Sequence, residues 1–444
     1  MSGEAGPAVA QHEDTGRTGF KTGVAWLFSG QVLSLAAGLA QSIIVVRVLG
    51  PAGQGQYAIA VVVLGLSTLA LGQATIVGAI HYTANGQLDR SDIAAACSAT
   101  VVAGSLACWA ILGAGTLTGL IAVAMPGVSA AATLAVAVSV PMLLTRQFAS
   151  ALLTGSERFA DAAMLEVIQS VGAAVMIGAT LMILPTVEGM FAAFVVATGV
   201  SGSIGVLRVN RLGVRWFGWP KRAVLTRLIH FGLRAAVGSA FQFLTYRLDF
   251  ALVNLLASTQ ALGIYSVASR FAELLWVLPG AVGGALFAVR SRDPGAGSAG
   301  QTARAFWGAG TVTVAGAVAL ALAAPIALPL LYGEAMTAAV APLLILVPGA
   351  VLLGTSAVVA NDVAARGRPG LISAIAIAVA TLTVVLDIVM IPWLGIAGAA
   401  AASSIAYLAY GVMTVGAYLR VTGTHLTEFA RAAGQLGSGM RLRL

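Results

Sequence analysis

Long apolar runs recur along the chain from residue 24 to residue 419, separated by short breaks where Gly, Pro and charged residues collect. Each run reaches about 20 residues, the length a helix needs to cross a hydrocarbon core of roughly 30 Å. A backbone in lipid must satisfy its own hydrogen bonds. A helix does so locally, whereas a membrane barrel would show alternating segments of about ten residues. The pattern therefore predicts spanning helices over 24–46, 57–83, 93–116, 130–154, 161–184, 188–207, 228–256, 262–289, 303–331, 336–361, 370–391 and 396–419. The fold class expected is all-α, a polytopic membrane protein of about twelve transmembrane helices. Residues 1–20 are polar and Gly-rich and carry charges of both signs, which predicts a disordered cytosolic tail. The apolar run after Lys21 is too long for the core of a cleavable signal, and many more follow it.

Composition supports lipid as the solvent. Of 444 residues 59% are hydrophobic and only 9% charged, against about 25% charged in soluble proteins. The charges also set an orientation. With the N-terminus in the cytosol, nineteen of the twenty-four Lys and Arg fall in the tails or in loops after even-numbered spans, and only Arg47 lies in the opposite loops. This positive-inside bias accounts for the net charge of +8 and leaves it no bearing on nucleic acid. Cys97 and Cys108, eleven apart on one predicted helix, lie roughly 16 Å apart along its axis and do not bridge.

Landmarks recur in the two halves. Gly55 and Tyr57 of LGPAGQGQY match Gly263 and Tyr265 of LLASTQALGIY at an offset of 208. Gly155 of LLTGSERF matches Gly367 of AARGRPG at 212, and Pro185 and Gly189 match Pro392 and Gly398 at 207 and 209. Three matches in order at nearly one offset predict two six-helix bundles, 21–207 and 228–420, joined by a basic cytosolic linker, 208–227, and followed by a basic cytosolic tail, 421–444. An even number of helices per repeat makes it a parallel one, and two such bundles around a central lumen suit alternating access. The tail allows two readings, contact with anionic headgroups or a frayed end.

RVLGPAGQGQY (Arg47 to Tyr57), TGSERF, ARGRPG and PWLGIAGAA together resemble the bacterial polysaccharide-biosynthesis flippases of the multidrug/oligosaccharidyl-lipid/polysaccharide exporter superfamily. The resemblance covers nearly the whole chain and is a pattern of small residues, not a catalytic signature. It implies a V-shaped pair of bundles and a lumen in which Arg or Lys faces anionic cargo. The cargo it implies is a polyprenyl-diphosphate-linked oligosaccharide, flipped from the cytosolic to the outer leaflet of the plasma membrane for O-antigen, capsule or exopolysaccharide. The partners implied are that lipid-linked oligosaccharide, membrane lipid, and the polymerase and glycosyltransferases of the same pathway.

Charges inside spans are costly and mark functional candidates. Arg247, Asp249, Arg270 and Glu273 fall at similar depth on the seventh and eighth spans, with Asp249 counted level with Arg270. They predict either a structural ion-pair lock or a lumen network that cargo or an ion rearranges. Arg146, Arg234 and Arg47 are the candidate phosphate ligands, since a guanidinium fork holds phosphate oxygens well. Arg227 and His230 share the face of Arg234, and Arg227 also fits snorkelling to the interface. Glu166 and Asp387 either pair locally or bind a coupling cation. Pro141, Pro279, Pro325 and Pro348 fall in or near spans, where they kink for packing or for hinging.

The sequence has no GxxxxGK[ST] element, and its only lysines are Lys21 and Lys221, so ATP hydrolysis within the chain is excluded. Its four histidines are scattered, which predicts no metal site, no cofactor and no catalytic residues. Three alternatives remain in play. A membrane polymerase or ligase typically needs large outward loops, and those here are short. A multidrug/cation antiporter of the same superfamily tends to carry an acid in the first span, and 24–46 has none. A peptidoglycan-precursor flippase usually has two more helices than the twelve predicted.

Overall fold

A computed structural model describes residues 8–121, 127–292 and 299–434. Among the described residues it contains thirteen α-helices, two short 3-10 turns and no strand. In chain order the helices are α1 (Ala8–Asn85), α2 (Arg90–Leu117), α3 (Ala130–Gly155), α4 (Phe159–Ile183), α5 (Val187–Asn210), α6 (Arg222–Leu256) and α7 (Thr259–Glu273). They continue with α8 (Val277–Arg292), α9 (Ala299–Tyr332), α10 (Val340–Ala365), α11 (Pro369–Leu394), α12 (Ile396–Thr422) and α13 (Leu426–Gly434). Among the described residues, ten helical segments are long and apolar enough to cross a membrane. The longest, Ser29–Asn85, has 57 residues, and α6, with 35 residues, is not among them. This is consistent with the twelve passes expected.

Local sequence explains the main break. Within α1, Gly50 sits at φ 70°, ψ −175°, a region open essentially to glycine alone. Pro51 follows it and opens the next helical run, since proline at a helix start forfeits only an N–H that has no intrahelical partner. The chain therefore turns at LGP, between the first and second predicted spans. α1 begins at Ala8, inside the stretch expected as a tail.

The described chain divides into two compact units. The first holds residues up to Gln41, Ser67–Gly113 and Leu134–Ala236. Its buried residues include Ile93, Leu144, Phe148, Leu165, Ile177 and Met190, and α4 packs along α5. Both cysteines are buried here on α2. Pro141 lies inside α3 without breaking it. Proline has no N–H to give the carbonyl four residues back, which is that of Ala137. The Trp109 indole of α2 supplies the missing donor, bonding the Ala137 carbonyl at 2.7 Å, so the freed acceptor is satisfied.

The second unit holds Ser42–Leu66, Ala114–Thr133 and residues from Val237 onward. Through residues 340–360 α10 has no charged residue and spreads its apolar side chains around the helix, as a helix enclosed by protein does. It packs against α8, α9 and α12. α9 instead turns Leu322, Ile326 and Leu330 outward, a stripe suited to lipid. The LGPAGQGQY and LLASTQALGIY elements meet in this unit. A methyl group added at Gly55 would overlap the Thr259 carbonyl, and one at Gly263 would overlap the Pro51 carbonyl. Only residues without a β-carbon permit this backbone-to-backbone approach. At the end of the chain, α13 docks through Phe429 against Phe306, Trp307 and Tyr418. The Trp307 indole bonds the Phe429 carbonyl at 2.8 Å.

Candidate functional site

In the first unit the sequence leaves Arg146 with no evident partner, and the structure supplies one. Its Nη1 lies 2.6 Å from Glu166 Oε2, across from α3 to α4. The pair is lopsided: the Arg146 side chain is 9% exposed and that of Glu166 50% exposed. Arg146 Nε is buried without a hydrogen-bond partner among the described residues. α5 holds α4 in place, because Ser201 Oγ bonds the Leu165 carbonyl at 3.1 Å and Thr198 Oγ1 receives Gln169 Nε2 at 3.0 Å. Thus two candidates assigned separate roles, cargo ligand and coupling-ion ligand, share one ion pair. Arg234 lies on α6, but its side chain is outside the described residues. Arg227 and His230 are exposed on the same helix.

Arg47 has a different setting. Its Nε donates to the Leu331 carbonyl at 2.8 Å, and its Nη2 donates to the Leu330 carbonyl. Those carbonyls belong to the last turn of α9, where acceptors lack intrahelical donors and a cation meets the negative end of the helix dipole. Arg47 therefore caps a helix in this structure.

In the second unit, α6 and α7 form a hairpin turning at Ala257 and Ser258, whose side chain caps α7 by accepting from Ala261 N. Arg247 and Glu273 pair through two prongs, at 2.5 and 3.1 Å, and Arg247 also lies 5.1 Å over the Phe250 ring. Asp249 is fully buried and does not pair with Arg270. It accepts from Tyr265 Oη at 2.6 Å, from Ser403 Oγ at 3.2 Å and from the Phe250 N–H at 2.8 Å. The sequence count assumed a turn near 258–261. The actual turn comes slightly earlier, which brings Asp249 level with Tyr265. Arg270 is half-buried and makes no ion pair among the described residues.

Asp387 on α11 is fully buried, and neither carboxylate oxygen has a hydrogen-bond partner among the described residues. Asp249 acts on it electrostatically. Thr383, one turn earlier, is also buried. Of the two candidates for a coupling cation, Glu166 pairs with arginine and Asp387 is left with acceptor capacity.

Two further clusters have one design, a carboxylate bridging two arginines. Asp161 meets Arg158 at 2.9 Å and also meets Arg208. Asp362 is enclosed between Arg290 at 2.5 Å and Arg366 at 2.7 Å. The Arg290–Asp362 contact is close without being aligned as a hydrogen bond, and Arg290 Nη2 donates to Thr302 Oγ1 at 2.8 Å. Sequence reading passed over both, because each carboxylate lies at or beyond the predicted end of a span.

Residues 20–292 match the family described as "Polysaccharide biosynthesis protein". The chain belongs to this family. No curated protein matches the sequence. Among solved structures, the lipid II flippase MurJ in an inward closed conformation superposes with a TM-score of 0.75 at 14% identity, covering 92% of this chain and 90% of that one. An inward-facing multidrug resistance MATE family transporter of the MOP superfamily gives 0.68 at 15% identity, covering 92% and 96%. The MATE multidrug transporter DinF-BH in complex with R6G gives 0.60 at 17%, covering 92% and 97%. This polysaccharide biosynthesis family member is thus a multi-pass membrane protein with the fold of these transporters and flippases.

Proposed function

We propose that the protein flips polyprenyl-diphosphate-linked oligosaccharide repeat units from the cytosolic to the outer leaflet of the bacterial plasma membrane by alternating access. One observation carries the reading. A chain of a polysaccharide biosynthesis family has the fold of a lipid II flippase over almost its full length. The expected organisation goes with it: bundles 21–207 and 228–420, termini in the cytosol, and product passing to a polymerase.

Within this reading Arg146 is the first diphosphate ligand, with Arg234 at the cytosolic mouth of α6. Arg47, engaged at a helix end, serves cargo only if it leaves that cap. The Arg247–Glu273 pair and Asp249 form the charge network of the second unit, and Arg270 is a cation there with no carboxylate partner among the described residues. Asp387, with Asp249 close enough to act on it, is the site for a coupling cation. Its carboxylate has no hydrogen-bond partner among the described residues, so a proton or a metal cation would neutralise it, and an ionisable group inside a span is a functional candidate by default.

The test is reconstitution. Proteoliposomes holding the purified protein and a fluorescent polyprenyl-diphosphate saccharide are expected to expose the lipid to a membrane-impermeant glycosidase faster than empty liposomes do. Equal rates would defeat the proposal. The MATE neighbours favour one rival, export of organic cations, and uptake of a rhodamine dye against a sodium or proton gradient without saccharide flipping would establish it.

A further inference from the structure

Arg146 and Glu166 are unequal partners. The arginine is held inside the α3–α4–α5 packing, while half of the glutamate side chain is exposed. Glu166 lies seven residues into α4, about 10 Å along its axis from the helix start. A carboxylate half exposed at that distance along the helix is best placed against water, because hydrocarbon excludes charge. A guanidinium has five N–H donors. Glu166 takes one hydrogen bond from Arg146, and the buried Nε has no partner among the described residues. The cation is therefore fixed and underused, and the anion is the replaceable member.

We propose that Glu166 is the resident anion of a diphosphate site, and that its carboxylate and the diphosphate of the cargo occupy Arg146 in turn. This deepens the flippase reading and rests on it. With cargo absent, Glu166 neutralises Arg146 and lets the unloaded protein change conformation without a bare cation in the membrane. With cargo present, the diphosphate offers more oxygens to the same fork and displaces Glu166, which swings to the hydrated side. On release Glu166 returns and competes for Arg146, which speeds departure of the cargo. The ligand class is a diphosphate, carried on a polyprenyl lipid or free.

The experiment is calorimetric titration of the full-length protein in nanodiscs with farnesyl diphosphate and, separately, with inorganic pyrophosphate. Glu166→Gln is expected to bind about tenfold tighter than wild type, because the internal competitor no longer carries charge. Arg146→Gln is expected to lose most of the binding, and the double variant to bind as weakly as Arg146→Gln. A gain in Glu166→Gln with both ligands indicates a site that reads the diphosphate, and a gain confined to farnesyl diphosphate indicates one that needs the lipid as well. Both support the exchange. If wild type binds and Glu166→Gln binds no tighter, or Arg146→Gln binds as wild type does, the exchange is wrong while the flippase reading stands. A wild type that binds neither diphosphate overturns both. Monodisperse elution of each variant and an unchanged melting profile guard against misfolding. Should Glu166→Gln fail that check, Glu166→Ala takes its place with the same expected gain.

Discussion

Replacing Asp387 with leucine tests the coupling site through stability, without reference to the cargo. The two side chains share one branched skeleton of four heavy atoms, so leucine sets methyl groups where the carboxylate oxygens stand and α11 keeps its course. In the wild type both carboxylate oxygens are buried without a hydrogen-bond partner among the described residues. A buried polar group left in that condition costs about 1–3 kcal/mol. Asp387→Leu removes the cost and adds apolar contact, so it is expected to raise stability by about 1–3 kcal/mol. A bound cation would stabilise the wild type by mass action, about 2.7 kcal/mol at a hundred times its Kd. The variant, having no carboxylate, should gain nothing. The assay is thermal unfolding of the detergent-solubilised full chain, followed by tryptophan fluorescence in choline chloride and then in sodium or potassium chloride at equal ionic strength. Wild type is expected to melt below Asp387→Leu in choline and to close the gap in one metal salt or at lower pH, while transport is lost in the variant. A variant that melts below wild type in choline, or that retains the cation response, refutes the reasoning. Gain of stability with loss of function is the pattern of a site kept for its work.

Three other changes probe the scaffold. Trp109→Phe keeps the ring but removes the donor to the Ala137 carbonyl, so a loss of about 1–3 kcal/mol in thermal stability is expected, with no comparable loss when Pro141→Ala accompanies it and restores the helical N–H. Arg290→Leu strips an enclosed partner from buried Asp362 and should cost about 3–5 kcal/mol, whereas Arg366→Leu, just past the C-terminal end of the helix that holds Asp362 and more exposed, should cost about 1 kcal/mol or less; equal losses would show that burial does not rank these pairs. Gly55→Val drives a branched side chain into the Thr259 carbonyl, so α1 and α7 must part there, and cysteine cross-linking between Gln54→Cys and Ser266→Cys should fall severalfold against the same pair on a glycine background.

The spans were readable because lipid imposes one simple demand, about 20 apolar residues per crossing, and the turn at LGP was readable because Gly50 and Pro51 punctuate the backbone. Pairing between helices was harder to read. The Arg146–Glu166 pair straddles the TGSERF turn at similar distances on either side, and a count outward from that turn finds it. At the α6–α7 hairpin the same count pairs charge with charge and misses Tyr265 and Ser403, neutral hydroxyls that hold Asp249. The partner of Arg47, a pair of main-chain carbonyls on α9, leaves no mark in side-chain chemistry. Trp109 reads as an ordinary apolar residue until Pro141 is placed beside it in space.

The approach of Gly55 to Thr259 and of Gly263 to Pro51 has a consequence for how this seam separates. Residues 51 and 55 stand to 259 and 263 at one separation, 208, so the contact maps onto itself when the two segments are exchanged. Such an arrangement is isologous, like the face shared by the halves of a symmetric dimer. It has no leading edge from which to peel. Drawing Thr259 away from Gly55 also draws Pro51 away from Gly263, and the seam parts as one event or stays shut.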